Sequence, residues 1–200
     1  MDEEDGELLV GLARKAISSY LEEGRTIEAP ADVREELKEK RGVFVTLNTY
    51  PAGELRGCIG LPEPVKPLIE AVIEAAVSSA TRDPRFPSLS IHELPHVTVE
   101  VTVLTPPQPI KAGTPEGRLE EIVIGRDGLI IERGWSRGLL LPQVPVEHRW
   151  SREEYLAYLC MKAGLPTDAW MDQATRLYRF EGVIFSETEP EGRVVRKEIL

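Results

Sequence analysis

Leu55-Arg56-Gly57-Cys58-Ile59-Gly60 follows the run Val43-Phe44-Val45-Thr46-Leu47 and the turn Pro51-Ala52-Gly53, and this arrangement decides the fold class. The first run is rich in β-branched and aromatic residues and the turn sends the chain back, so the two segments read as a hairpin. Side chains alternate along an extended chain, which puts Arg56 and Cys58 on one face and Leu55 and Ile59 on the other. Gly57 and Gly60 weaken a strand, and are expected where another backbone or a ligand comes close.

Downstream of the hairpin, Pro67 opens a helix whose buried face is Leu68, Ile69, Val72, Ala75, Ala76 and Ser79. That helix ends in Thr81-Arg82-Asp83-Pro84-Arg85-Phe86-Pro87, a stiff polar loop. Val97, Val99, Val101 and Val103 then alternate with Thr98, Glu100 and Thr102, the pattern of a half-buried strand. Upstream, the apolar stripe from Leu8 to Leu21 predicts a helix over residues 7–22 closed by Gly24, and residues 32–40 predict a shorter charged one.

The proline-stiffened Thr105-Pro106-Pro107-Gln108-Pro109 separates this part from a second. There, Ile122-Val123-Ile124 and Leu129-Ile130-Ile131 flank Gly125-Arg126-Asp127-Gly128, expected to be a hairpin turn. Leu139-Leu140-Leu141 reads as a strand, Ser151 and Glu154 as the capping box of a helix to Ala163, and residues 176–187 as the last strand. The fold class is therefore α+β (mixed α/β), with two unequal sub-lobes at about 42–105 and 122–187 joined through 105–109. Hairpin, helix and strand recur in both, so duplication of a β-β-α-β unit is expected from element order, without a residue-level repeat. Leu55 to Gly60 and Leu139 to Val144 would then be equivalent strands, and Arg56, Cys58 and Gln143 would share an inter-lobe cleft.

With 42% hydrophobic and 29% charged residues the chain has a globular protein's composition, and no apolar run approaches the ~18 residues that span a bilayer. The acidic start Met1-Asp2-Glu3-Glu4-Asp5 is opposite to a secretory signal, so a cytoplasmic location is expected. Two cysteines outside any metal-ligand spacing indicate neither a disulfide framework nor a zinc site, and no metal or cofactor is expected. A net charge of −10 opposes non-specific nucleic-acid binding. One asparagine, three glutamines and 16 prolines give the chain a thermophile's composition.

Cys58 is the candidate nucleophile, provided a base or cation lowers its pKa, and Arg56 on its own face is one such cation; the competing reading is a small buried thiol. Arg82, Asp83 and Arg85 are candidates to clamp a carboxylate or phosphate, or else an ion-pair cluster that ties the loop down. Gln143 and Glu147 lie on a segment stiffened by Pro142 and Pro145, suited to binding. His92-Glu93-Leu94-Pro95-His96 matches a zinc-protease pattern, but Pro95 breaks the helix such a site needs.

Together, Leu55-Arg56-Gly57-Cys58-Ile59-Gly60, Arg82-Asp83-Pro84-Arg85-Phe86-Pro87, Leu139-Leu140-Leu141-Pro142-Gln143-Val144 and Cys160-Met161-Lys162-Ala163-Gly164-Leu165 with Trp170 resemble the AMMECR family, in order over nearly the whole chain. The resemblance implies an α/β protein of two unequal sub-lobes with the hexapeptide near a cleft, and it implies no established reaction. It associates members with radical-SAM and Memo-like proteins and with supposed roles in RNA modification, transcription or translation. His148 and Arg149 stand where the family pattern leads one to expect glutamine and glycine. Two functions remain open: an enzyme or enzyme component that binds a small or nucleotide-like anionic ligand, and a non-catalytic adaptor that docks a radical-SAM or Memo-like partner.

Overall fold

The computed structural model describes residues 1–197. Its elements are α1 (Glu3–Glu23), α2 (Glu35–Lys38), β1 (Val43–Thr49), β2 (Leu55–Leu61), α3 (Leu68–Thr81), β3 (Val97–Leu104), β4 (Gln108–Pro109), α4 (Pro115–Glu120), β5 (Asp127–Arg133), β6 (Ser136–Leu140), α5 (Gln143–Glu147), α6 (Arg152–Lys162), β7 (Arg176–Glu187) and β8 (Val194–Lys197). Helices combine with antiparallel strands, so the fold is α+β. The described residues form two compact units: unit 1 holds residues 1–104 and 183–197, and unit 2 holds 105–182. β7 thus gives its first part to unit 2 and its end to unit 1.

In unit 1 the strand order is β2-β1-β3, with β7 beside β3 and β8 paired to β7. Val43, Val45 and Leu47 of β1 and Val97 to Val103 of β3 turn alternate side chains into a core shared with α1 and α3. The acidic start of the chain, read above only as the wrong charge for a signal, is a helix cap. Asp2 accepts from the Asp5 backbone and Asp5 from that of Asp2, which satisfies two orphan amides of α1, while Gly24 closes the helix at φ 68°. A buried cation lies beside the apolar stripe: Arg14 donates to Glu187 through Nε at 2.6 Å and to the carbonyl of Val97 at 2.7 Å, while Glu187 also accepts from the Val99 amide. One guanidinium so ties α1, β3 and β7 together.

Unit 2 is built on β6-β5-β7, with the two-residue β4 also on β7. α6 packs on β5 and β6, and both halves of its Ser151/Glu154 capping box are made. Its core is Ile122, Leu129, Ile131, Tyr155, Leu156, Leu159, Trp170 and Leu177. The central strand of each unit, β1 or β5, pairs with its hairpin partner on one side and with the strand that follows the helix on the other.

Three expectations need correction. Residues 122–124 form no strand, because Asp127 accepts from the Val123 amide, holds Arg126 and is buried at the first position of β5, so Gly125 to Gly128 is an entry turn and not a hairpin. The hairpin of unit 2 turns instead at Gly134-Trp135. Leu139 to Val144 is not one strand: β6 ends at Leu140 and Gln143 begins α5. The charged helix of residues 32–40 is the single turn α2.

Gly57 has its predicted use. A Cβ there would sit 2.2 Å from the carbonyl oxygen of Ser79, so α3 reaches the backbone of β2 only because residue 57 lacks one. Gly57→Ala is expected to cost about 1–3 kcal/mol by overpacking. Gly11→Ala, where nothing lies within 4 Å on α1, should gain up to about 1 kcal/mol from helix propensity. Denaturant titrations of the two variants test this; a Gly57→Ala protein as stable as the parent would refute the close approach.

Candidate functional site

Residues 82–93 fold back along the free edge of β2, and this is how the hexapeptide and the R-D-P-R loop come together. β2 ends the strand order, so its outward amides need partners other than a strand. The Asp83 carboxylate accepts from the outward Cys58 amide at 2.8 Å, and Arg85 Nη2 donates to the Cys58 carbonyl at 3.3 Å. On the inner side of β2 the Ser79 hydroxyl oxygen accepts from the Ile59 amide at 2.8 Å and lies 2.7 Å from the carbonyl oxygen of Val45, the residue paired with Ile59 on β1, and 2.8 Å from that of Ala75, so it bridges the two strands. At the free edge, one carboxylate and one guanidinium thereby stand in for a missing strand at Cys58.

Asp83 and Arg85 form a two-point pair, Nε to Oδ1 at 2.9 Å and Nη2 to Oδ2 at 2.7 Å. The Asp83 side chain is 2% exposed and that of Arg85 54%. The Arg85 guanidinium holds the Asp83 carboxyl well below the usual carboxylate range, against the opposing effect of burial and with help from the amides of Cys58 and Arg85. In turn, the hydrogen bond to Asp83 raises Arg85.

Arg56 takes a different course. Its Nε and Nη2 both donate to Glu93 Oε1 at 3.1 Å and its Nη1 to the Pro87 carbonyl at 3.0 Å, with only 13% of the side chain exposed. The Phe86 ring has Arg56 5.9 Å and Arg85 5.6 Å from its centroid. Glu93 accepts from the Ser90 amide as well, and that bond, with Arg56, holds its carboxyl low. The glutamate inside the discounted H-E-x-x-H match is thus the counter-ion that fastens the end of the loop.

Cys58 is half-buried and lies opposite Thr46 across the β1–β2 pair, with the Thr46 hydroxyl 3.3 Å from its sulfur. Burial pushes the thiol up; the Thr46 hydroxyl and then Arg85 pull the other way, while Asp83 and Glu100 add to the rise. The cation acting on the sulfur is Arg85, not Arg56 as its place on the strand had indicated. The net effect keeps the sulfur protonated at neutral pH, the reverse of what a nucleophile needs.

Arg82 stands apart from this cluster. It is exposed and borders an open pocket of about 290 Å³ with Ile27, Lys66, Glu70, Ile73 and Glu74. Gln143 and Glu147 are in unit 2, at the first and last residues of α5, and Gln143 Oε1 is buried without a hydrogen-bond donor. Among the described residues no group of three or more His, Cys, Asp or Glu side chains is placed to hold a metal ion. No described helix is long and apolar enough to cross a membrane. Thr46, Ser79 and Glu93 were not singled out from the sequence; the alternation that puts Thr46 and Cys58 on one face of a hairpin was the available signal for the first.

Comparison with known proteins decides the family. A family model described as AMMECR1 matches residues 10–185. The chain belongs to the AMMECR1 family. It is 56% identical over 198 residues to protein MJ0810 of Methanocaldococcus jannaschii, covering 98% of this chain and 97% of that one. To protein PH0010 of Pyrococcus horikoshii it is 54% identical over 201 residues, covering 99% and 97%. The crystal structure of that uncharacterized Pyrococcus protein matches with a TM-score of 0.88, over 99% of this chain and 98% of that chain. The place of Asp83 in the fold can be tested through acid stability. Because Asp83 is held low in the folded state, its contribution is present above the ordinary aspartate value of about 3.9 and is lost as pH falls below it. Asp83→Asn should lower stability at pH 7 by about 1–3 kcal/mol and flatten the fall in stability below pH ~5. Denaturation midpoints measured across pH check this; parallel curves for parent and variant would remove Asp83 from its place in the fold.

Proposed function

We propose that this protein works as a non-catalytic adaptor, and that the outer side of the 82–93 loop docks a partner protein. The observation that carries the reading is how the charges are spent. Arg56, Asp83 and Glu93 are engaged within the loop and the strand, the thiol is held protonated, and Arg85 keeps about half its side chain in solvent. Pro84, Arg85, Pro87 and Ser88 are exposed around the Phe86 ring, on a backbone that internal ion pairs hold still. Rigid loops presenting an arginine and an aromatic suit recognition, since little conformational entropy is lost on docking. The partner class favoured is the radical-SAM or Memo-like protein that the family resemblance implies, with a carboxylate on its surface to meet Arg85.

A second reading has one observation in its favour. The Thr46 hydroxyl and Arg85 both favour the thiolate form of Cys58, as an enzyme component binding a small or nucleotide-like anionic ligand would require, with Arg85 and Arg56 as anion contacts. The two readings diverge in a paired experiment on the folded protein. On the adaptor reading, Cys58 alkylates only as pH rises past about 8.5, Cys58→Ser keeps the co-expressed radical-SAM or Memo-like partner, and Arg85→Glu loses it. Fast labelling of Cys58 at neutral pH, with partner capture indifferent to Arg85→Glu, would overturn the adaptor and favour the enzyme.

A further inference from the structure

We infer that unit 2 contains an anion-binding pocket, separate from the loop of unit 1, that takes a small phosphorylated organic molecule. It is a depression of about 380 Å³ beside β4 and the start of β7. Lys111, Arg118 and Arg176 border it together with Gln173, Tyr178 and Ile110, and among the described residues none that lines it is an aspartate or glutamate. In a chain with 34 acidic against 24 basic residues, three cations converging without a lining carboxylate run against the overall balance.

Arg118 makes the pocket more than a chance grouping. It is 6% exposed, and a buried guanidinium is ordinarily paired with a carboxylate. Among the described residues its hydrogen-bond partners are backbone carbonyls: Ala112 at 3.3 Å, Asp172 at 3.1 Å, Thr175 at 3.0 Å, and Trp170. Those dipoles satisfy its N–H groups but leave a full positive charge in a poorly hydrated wall. An anion in the adjoining space is the natural complement, because a charge in low dielectric acts over a longer range than one in water.

Each of the nearby carboxylates already has a partner, two of them on the pocket's own wall. Asp172 pairs with Arg133 at 2.6 Å, Glu121 accepts from the Ala112 amide at 2.9 Å, and Glu132 lies 3.4 Å from Arg176 and 3.1 Å from Arg137. Arg176 is 69% exposed, so its weak contact with Glu132 leaves it available to a ligand. Lys111 is exposed and, among the described residues, makes no ion pair or side-chain hydrogen bond. The ammonium and the guanidinium supply donors to a phosphate, Arg118 supplies field, and Ile110 with the Tyr178 ring offers an apolar side to the organic part. The volume admits a group of nucleoside monophosphate size, at the lower end of ordinary ligand pockets.

The test uses the whole protein and three probes: inorganic phosphate, adenosine monophosphate and 3-phosphoglycerate, each titrated calorimetrically to about 10 mM, where even a millimolar site is ~90% filled. At least one organic phosphate should bind, more tightly than inorganic phosphate and more weakly at high salt. Lys111→Glu combined with Arg176→Glu should weaken it at least about tenfold. Both positions are exposed, and an unchanged denaturation midpoint would show that the variant folds. Absence of binding by all three probes, or binding unaffected by the double variant, overturns the inference. Arg85→Glu should leave phosphate binding unchanged; a loss there would move the site to unit 1 and equally overturn it.

Discussion

The contact on which unit 1 depends is the approach of α3 to β2 at Gly57. An edge strand must conceal its outward hydrogen-bonding groups or risk pairing with another chain. Here a helix comes within touching distance of the strand backbone, with Ser79 bridging β1 and β2, and the chain that follows the helix lays Asp83 and Arg85 along the edge in place of a neighbouring strand. A side chain at residue 57 would push α3 outward, and the carboxylate that accepts from the Cys58 amide would move with it. Residues 55–60 and 82–87 are therefore two sides of one junction. The glycine, the aspartate and the second arginine are chemically determined there before any ligand or partner is considered.

Unit 2 repeats the device in reduced form. A Cβ at Gly138 on β6 would sit 2.9 Å from the backbone nitrogen of Ala163, where α6 ends, so there too a glycine on the outer hairpin strand admits the helix that follows. An arginine precedes each glycine. Arg137 pairs across its own hairpin with Glu132, whereas Arg56 reaches out of the sheet to Glu93 and fastens a loop of twelve residues. The shared order of strands and the shared arginine–glycine step describe one architectural plan, and the departure at Arg56 is what gives unit 1 an exposed, rigid loop that unit 2 lacks at the corresponding place.

Much of this was legible from local pattern. Alternation gave β3, the apolar stripe gave α1, the S-x-x-E box gave the start of α6, and residues 176–187 are β7 to the residue. These signals are local because propensity, capping and periodicity act over a few residues. What the sequence withheld was the identity of tertiary partners. Arg14 sits beside an apolar stripe with no hint that Glu187 waits 173 positions later, and Glu93 was hidden in a pattern associated with zinc. Asp127-Gly128 has hairpin-turn chemistry, yet the buried aspartate turns its carboxylate back onto the Val123 amide and starts a strand. The charge relations around Cys58 were likewise misjudged, since adjacency along a strand pointed to Arg56 and folding brought Arg85.

Arg149 shows how an unfavourable backbone conformation is accommodated. Arg149 has φ 55°, the left-handed conformation that glycine enters freely and other residues enter at a cost of roughly 1 kcal/mol. The chain turns there because the amide of Trp150 bonds the Pro145 carbonyl at 2.9 Å, closing the end of α5 just before Ser151 caps α6. His148 stacks on Trp150 with centroids 4.8 Å apart, and Trp150 on Tyr158 at 4.0 Å, nearly parallel in both cases. Aromatic pairs contribute about 0.5–1.5 kcal/mol each, so two of them are of the size needed to offset the strained residue between His148 and Trp150. The histidine and the arginine are then best understood together: the ring at 148 helps hold the turn that the side chain at 149 makes costly, and neither position needs a catalytic role to account for its residue.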